Sequence, residues 1–430
     1  MMTIQTLYNI FLKHPYVTTD SRNCPENALF FALKGDSFNG NKFAAQALAA
    51  GCSYAVVDEP VNVNDERYIM VENTLKTLQE LAYHHRKTCC IPVIGITGTN
   101  GKTTTKELMA SVLSKKFNVV YTLGNLNNHI GVPLTLLRIK PEHRLAIIEM
   151  GANHPGEIKE LVKIADPDLG LITNVGKAHL EGFGSFEGVI KTKGELYDYL
   201  REKGGMIFIN MENPYLTSIA KGLSQIPYSI EPGYPVWGEV ISCSPFLKLR
   251  WFTDYGKKSY LVQTNLIGSY NLENALAAIC VGTHFSVSPE DICKALEEYV
   301  PNNNRSQLKK TEQNTLIIDA YNANPTSMVA AIKNFNQYDA SPKAVILGSM
   351  KELGNQSEEE HKLLAFNIAE NNFDRVFLIG NEFKLTNTDY PIFENSEAFI
   401  KYLEEQPLQG YTILLKGSRG NQLESIVPYL

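Results

Sequence analysis

Residues 95–104 read Gly-Ile-Thr-Gly-Thr-Asn-Gly-Lys-Thr-Thr, a turn that suits a polyphosphate. An apolar run over 91–96 precedes it as a buried strand, and 107–113 follows as the first turns of a helix. Such a turn aims several backbone N–H groups and a helix N-terminus at one point. Lys102 then reaches the outer phosphates, and the Thr103 hydroxyl is placed to ligate Mg²⁺. The usual Gly-x4-Gly-Lys spacing asks for glycine at position 96 and meets Ile96; Gly98 partly replaces it. A glycine-rich turn with a surface lysine is the plainer reading, and the strand–turn–helix context outweighs it. Gly98, Thr99, Asn100, Gly101, Lys102, Thr103 and Thr104 are therefore expected to hold the phosphates of ATP or GTP.

Other candidates stand at the ends of further apolar runs. Glu149 closes a strand, and ligands of parallel α/β sheets gather outside the carboxyl ends of strands. A carboxylate there is a natural Mg²⁺ ligand, or equally a cap for the next turn. His179, in the run 174–184, can coordinate a second metal ion or orient substrate; a lone histidine is more often packed or solvated, and its place after a P-loop-domain strand favours the site. Lys191 and Lys193 lie in a helical stretch, where composition alone makes both ordinary solvated residues. Asp319 closes a later strand in Asp-Ala-Tyr-Asn-Ala-Asn-Pro. It can accept from a ribose hydroxyl and Tyr321 can pack on a base, although an Asn- and Pro-rich turn explains the same residues. Polar clusters at 348–354 and 416–420 fall on the same expected edge, which reads as a binding face. The set points to an ATP enzyme that handles at least one further substrate.

These groups need elements to hold them. A chain of 430 residues, 44% hydrophobic and 20% charged, suffices for two or three soluble domains with their own cores. Three α/β blocks separate by pattern. Residues 1–88 carry short β-type runs (28–33, 54–57, 68–71) and helical stretches at 42–50 and 74–87. Residues 89–300 form a central P-loop domain with a mainly parallel sheet, its strands at 91–96, 145–149, 169–174 and 206–210 alternating with helices. Antiparallel strands over 227–268 and a helix at 271–282 complete it. Residues 301–430 repeat the alternation as a Rossmann-like α/β domain without the GxGxxG fingerprint. Residues 301–304, Pro-Asn-Asn-Asn, are the linker candidate.

A net charge of −6 leaves no basic footprint, so no nucleic acid is expected as main partner. Seven cysteines without CxxC spacing read as reduced thiols. Residues 1–16 lack a leader pattern, and no apolar run approaches the ~20 residues that span a bilayer. No membrane insertion and a cytoplasmic location are expected.

The ordered motifs resemble the Mur ligase superfamily over nearly the whole chain. They comprise Thr-Asp-Ser-Arg at 19–22, Ala-Leu-Phe-Phe-Ala-Leu-Lys-Gly at 28–35, the turn at 98–104 and Gly-Asn-Leu-Asn-Asn-His-Ile-Gly-Val-Pro at 124–133. They continue through 149–153, 174–184, Tyr-Asn-Leu-Glu-Asn-Ala-Leu-Ala-Ala at 270–278, 319–325, 348–354 and 416–419. The set is most similar to the branch that joins D-alanyl-D-alanine to UDP-N-acetylmuramoyl-tripeptide. That resemblance implies an ATP-dependent amide ligase of peptidoglycan precursor synthesis. ATP would phosphorylate the tripeptide carboxylate, the dipeptide amine would attack the acyl phosphate, and ADP and phosphate would leave.

By motif, the resemblance implies that Lys102 and the loop amides hold phosphates, while Thr103 and Glu149 hold a first Mg²⁺. His179 is implied as a ligand of a second ion, and Lys193 as the family's carbamylated lysine, reversing the compositional reading. Asn274 would meet adenine, Arg305 the phosphates and Asp319 the ribose. Ser21, Arg22, Asn128 and His129 are candidates for the UDP-sugar substrate. The three blocks would bind UDP-sugar, ATP and dipeptide in that order, closing about 301–305, and a monomer is expected. Tyr270 stands where relatives often have histidine. The third-residue-adding ligase is disfavoured because the Asp-Asn-Pro-Arg signature of its diaminopimelate type is absent. A P-loop switch without ligase activity would need neither the sugar-nucleotide motifs nor a third α/β domain.

Overall fold

The computed structural model describes residues 2–60, 65–301 and 305–430; the linker candidate 301–304 lies outside the described residues apart from Pro301. The architecture is α/β, with three main sheets and one two-stranded hairpin. In the first sheet the parallel strands run Tyr16–Thr18, Ala28–Phe31, Tyr54–Val57, Tyr68–Met70. All four residues of Ala28–Phe31 are buried, as a central strand covered on both faces requires. The helix Ile4–Lys13, which no sequence motif announced, starts at a Thr3 cap and buries Leu7, Tyr8 and Phe11.

The second sheet has nine strands. From one edge they run Lys258–Gln263, Leu247–Thr253, Val236–Cys243, Ser224–Ser229, Met206–Asn210, Leu169–Ile172, Val93–Thr97, Leu145–Glu149 and Val119–Tyr121. Only the pairings among the first three are antiparallel. The appended antiparallel region therefore extends the parallel sheet rather than forming its own, and Ser224–Ser229 still pairs parallel. Val93–Thr97 lies between Leu169–Ile172 and Leu145–Glu149, so three strands end together at one edge. The chain runs to one side of this strand and then the other, and a crevice opens where that order reverses.

The third sheet runs Gln307–Lys310, Thr315–Asp319, Thr412–Lys416, Lys343–Gly348, Arg375–Ile379, Ile392–Phe393, with only the first pair antiparallel. Asp319 and Lys416 are direct neighbours across adjacent strand ends.

The helix Thr74–Cys89 ties the first sheet to the second. Its Arg86, only 5% exposed, donates to the Ala165 and Asp166 carbonyls at 3.2 and 3.0 Å and to Asp168 Oδ2 at 2.7 Å. Those carbonyls end the helix Glu157–Ala165, where a cation also meets the negative pole. Asp168 Oδ2 in turn accepts from the N–H of Val93, the first residue of the P-loop strand. Arg86→Met strands these acceptors in a buried joint. Urea unfolding should show a loss of about 3 kcal/mol, and Arg86→Lys should recover only part of it.

Candidate functional site

The phosphate-loop candidate begins where Val93–Thr97 ends. Ile96 is fully buried in the strand, so the position where the usual spacing asks for glycine belongs to the sheet core; the turn starts at Gly98. Gly98 and Gly101 take φ of +141° and +76°. A Cβ at Gly98 would overlap Thr173 Oγ1, and one at Gly101 would lie 2.5 Å from Asn274 Oδ1. Asn174 shapes the turn between them: its carbonyl accepts Thr99 N–H and its Oδ1 accepts Asn100 N–H, both at 2.9 Å. The helix Lys102–Leu113 then starts directly, five residues before its apolar pattern becomes legible.

Lys102 turns back into this loop, donating to the carbonyls of Gly98 at 2.8 Å and Thr99 at 3.1 Å. Burial lowers its pKa to about 8; Glu149 counteracts the shift and Arg305 adds to it. Thr103 Oγ1 donates to Glu149 Oε1 at 3.2 Å, and Asn127 Nδ2 donates to the same oxygen at 2.9 Å. Glu149 Oε2 is buried without a hydrogen-bond partner. A carboxylate oxygen with a free lone pair beside a threonine hydroxyl is a hard-oxygen donor set, which fits Mg²⁺.

Lys193 corrects the compositional reading of a solvated helix lysine. In the helix Phe186–Lys203 it faces inward and is 2% exposed, whereas Lys191 is exposed. Its Nζ donates to the Ala152 carbonyl at 3.3 Å and sits 5.2 Å from the centroid of the Phe183 ring. Burial first, and then repulsion from Lys102, hold its pKa well below the ordinary lysine value. His179 adopts φ +50°, and its Nδ1 lies 2.5 Å from Glu352 Oε2. The angle of that contact falls short of an aligned hydrogen bond. Glu352 is also left-handed, at φ +64°, and proximity to His179 lowers its pKa. Among the described residues no group of three or more His, Cys, Asp or Glu side chains converges as a ready metal cage.

A cavity of about 710 Å³ joins most of these parts, although Gly98, Lys193 and Glu352 are not among its lining residues. Residues 99–104, Glu149 and His179 line it from the second sheet; Arg305, Asp319 and Lys416 line it from the third. Asn128, His129 and Asn274 also reach it. Asn274 is anchored, accepting from Thr105 Oγ1 at 3.0 Å and donating to Asn271 Oδ1 at 2.9 Å. Arg305 stacks its guanidinium 3.7 Å over the Tyr321 ring, so one face of that ring is taken by a cation rather than left for a base. Asp319 Oδ2 accepts from Lys416 Nζ at 2.6 Å. Ser21 and Arg22 do not line the cavity, and Arg22 pairs with Asp20 at 2.9 Å on the surface. Asn127, Asn174, Lys106 and Glu352 take part in the site without having been singled out for a role. Asn127 and Glu352 lay inside quoted motifs, but only the fold brings them to Glu149 and His179.

Three family models match the chain in order. They are the Mur ligase family, catalytic domain over 15–93, the Mur ligase middle domain over 96–282, and the Mur ligase, glutamate ligase domain over 304–419. A Bacillus subtilis protein named UDP-N-acetylmuramoyl-tripeptide--D-alanyl-D-alanine ligase is 35% identical, covering 96% of this chain and 92% of the relative. The chain belongs to the Mur ligase family. Among solved Mur ligases, a MurF from Acinetobacter baumannii is 33% identical with a TM-score of 0.87, over 96% of this chain and 92% of that one. A MurF ligase from Thermotoga maritima, in complex with ADP, is 26% identical with a TM-score of 0.85, over 97% of both chains.

The second and third sheets of this Mur ligase share one apolar cluster, which includes Leu180, Phe183, Met350 and Leu353, and polar contacts add to it. Asn324 Nδ2 donates to Asn100 Oδ1 at 2.7 Å, and Lys177 pairs with Glu360 at 2.6 Å. His179–Glu352 is the third such link. Combining Lys177→Ala with Glu352→Ala should loosen this docking. Small-angle scattering should then give a larger radius of gyration than wild type, at an unchanged melting temperature of the second sheet's fold.

Proposed function

We propose that this chain ligates D-alanyl-D-alanine to UDP-N-acetylmuramoyl-tripeptide, using ATP and releasing ADP and phosphate, in peptidoglycan precursor synthesis. One observation carries the reading: a single cavity joins a P-loop to the polar strand ends of a separate α/β sheet. A nucleotide switch has no use for the second wall. A ligase needs it, because an amine must reach a carboxylate activated at the nucleotide. The relatives' shared name and full-length similarity support the substrate pair.

The chemistry follows from the groups on the page. A peptide carboxylate is a poor electrophile, and transfer of the γ-phosphoryl group gives it a leaving group. The loop amides and Lys102 hold the phosphates; Lys102 needs only a small rotation, since its present partners are two carbonyls of the same loop. Arg305, braced on Tyr321, faces the cavity as a second cation for the phosphates. Mg²⁺, held by Thr103 and Glu149, would neutralise charge on the transferring group, and His179 with carbamylated Lys193 would hold a second ion. Lys193 suits carbamylation because its buried amine favours the neutral form, the form that adds to CO₂. Asn274 would serve the adenine side and Asp319 the ribose, with the Lys416 ammonium donating to that carboxylate and aiming it.

Residues 1–88 would bind the UDP-sugar peptide, 89–300 ATP and 301–430 the dipeptide. Asn128 and His129 are placed to touch the first substrate; Ser21 and Arg22 would join it only if that substrate extends along the first sheet. Among the described residues no helix is long and apolar enough to cross a membrane. A cytoplasmic location and a monomeric state belong to this proposal.

A substrate matrix tests the reading. Phosphate release should require ATP, a UDP-muramoyl tripeptide and D-alanyl-D-alanine together, with ADP as the nucleotide product. Turnover without the dipeptide, or AMP and pyrophosphate as products, would refute it. Lys193→Ala should lower kcat by at least about 100-fold, as loss of a ligand or its support does. Added short carboxylates should restore part of that loss, while Lys191→Ala stays near wild type.

A further inference from the structure

We propose that Lys106 is a positioning residue whose buried positive charge makes cation binding at Glu149 depend on the nucleotide. The inference rests on the reading of Glu149 as a Mg²⁺ ligand given above. Lys106 lies one helical turn beyond Lys102, and its side chain is wholly excluded from solvent. Its Nζ is 3.5 Å from Glu149 Oε2 and 3.7 Å from Glu107 Oε1, and it makes no hydrogen bond. Tyr121 offers only the face of a ring, its centroid 6.0 Å away. Glu107 remains a second carboxylate, its Oε2 accepting from Tyr299 OH at 2.6 Å. Glu149 is the nearer and the fully buried one, and its Oε2 is itself an orphan.

A buried ammonium and carboxylate lacking the hydrogen bonds that normally offset desolvation form a costly pair. Holding the Glu149 rotamer does not account for it. Oε1 is already fixed by Thr103 and Asn127, and the Glu149 N–H donates to Thr122 Oγ1 at 2.9 Å. What Lys106 adds is charge. Without it, Glu149 would be a dry anion offset only from the cavity wall, and more open to a divalent ion. With it, the pair is close to neutral, and an arriving cation meets a fixed positive charge where water screens little. Lys102 and Arg305 add to that field from the cavity wall. Nucleotide phosphates offset the repulsion, so metal and nucleotide load together. Lys106 and Glu149 thus exclude metal-only occupancy, a state that would block entry of a correctly charged metal–nucleotide complex.

The test titrates Mn²⁺ into the full-length protein, followed by electron paramagnetic resonance, with and without a non-hydrolysable ATP analogue. Lys106→Met and Lys106→Gln should each bind Mn²⁺ at least about tenfold more tightly than wild type when no nucleotide is present. Lys106→Arg, which keeps the charge, should match wild type, and the analogue should narrow all the differences. The glutamine variant removes the charge while keeping a polar end, so it covers the case in which methionine disrupts folding. Unchanged or weaker Mn²⁺ affinity in a folded neutral variant overturns the proposal, as does equal tightening in Lys106→Arg. Glu149→Gln separates the two ideas. If it retains wild-type Mn²⁺ binding in the presence of the analogue, the reading of Glu149 as ligand fails. If it loses that binding while the neutral Lys106 variants show no tightening, only the inference about Lys106 fails.

Discussion

The whole site depends on how closely the backbone between Thr97 and Lys102 can approach two asparagines from other elements. Asn174 receives the amides of Thr99 and Asn100, which brings Gly98 against Thr173, and Asn274 sits against Gly101; neither glycine leaves room for a Cβ. That proximity demands positive φ and no Cβ at two positions, which only glycine supplies without strain. In return, the turn is fixed to Leu169–Ile172 on one side and to the helix Asn271–His284 on the other. The helix N-terminus and the carboxylate of the adjacent strand then need no further adjustment to share one point. Glu149 is directly across from Ile96 in the register, one pair before the strand becomes loop.

Much of this was legible in advance, for identifiable reasons. Strands such as Leu145–Glu149 and Met206–Asn210 are unbroken apolar runs in a sheet buried on both faces, and their sequence limits coincide with the observed ones. The α/β class followed from their alternation with amphipathic helices. The helix after the phosphate loop was read too late because Lys102, Thr103 and Thr104 serve the turn and break the apolar period. The helix Ile4–Lys13 buries only Leu7, Tyr8 and Phe11, too few positions for a helical period to stand out over ten residues. Arg86 was invisible for another reason: its acceptors are two carbonyls and a carboxylate about eighty residues away, and nothing local marks them.

The buried lysines show where composition stops being informative. Lys191 and Lys193 are two residues apart on one helix, one exposed and the other 2% exposed, because positions two apart are turned about 200° around a helix axis. Only the family resemblance singled out the second. Lys106 had no such help, since a lysine four residues past the loop reads as a solvent-facing helix position. Its burial comes from the tertiary packing of Lys102–Leu113 against the sheet and Asn271–His284, which the local pattern does not encode. Lys102, Lys106, Lys193 and Arg305 together give an acidic protein a locally cationic interior, and Glu149 stands among them as the counter-charge.

The polar links between the second and third sheets differ in character from the apolar cluster the two sheets share. Lys177–Glu360 and His179–Glu352 each pair one largely screened group with one that is about half exposed, at 49% for Lys177 and for Glu352. The Lys177–Glu360 ion pair weakens as salt rises, whereas apolar packing does not. Salt therefore acts on this link first and leaves the apolar cluster that the two sheets share in place.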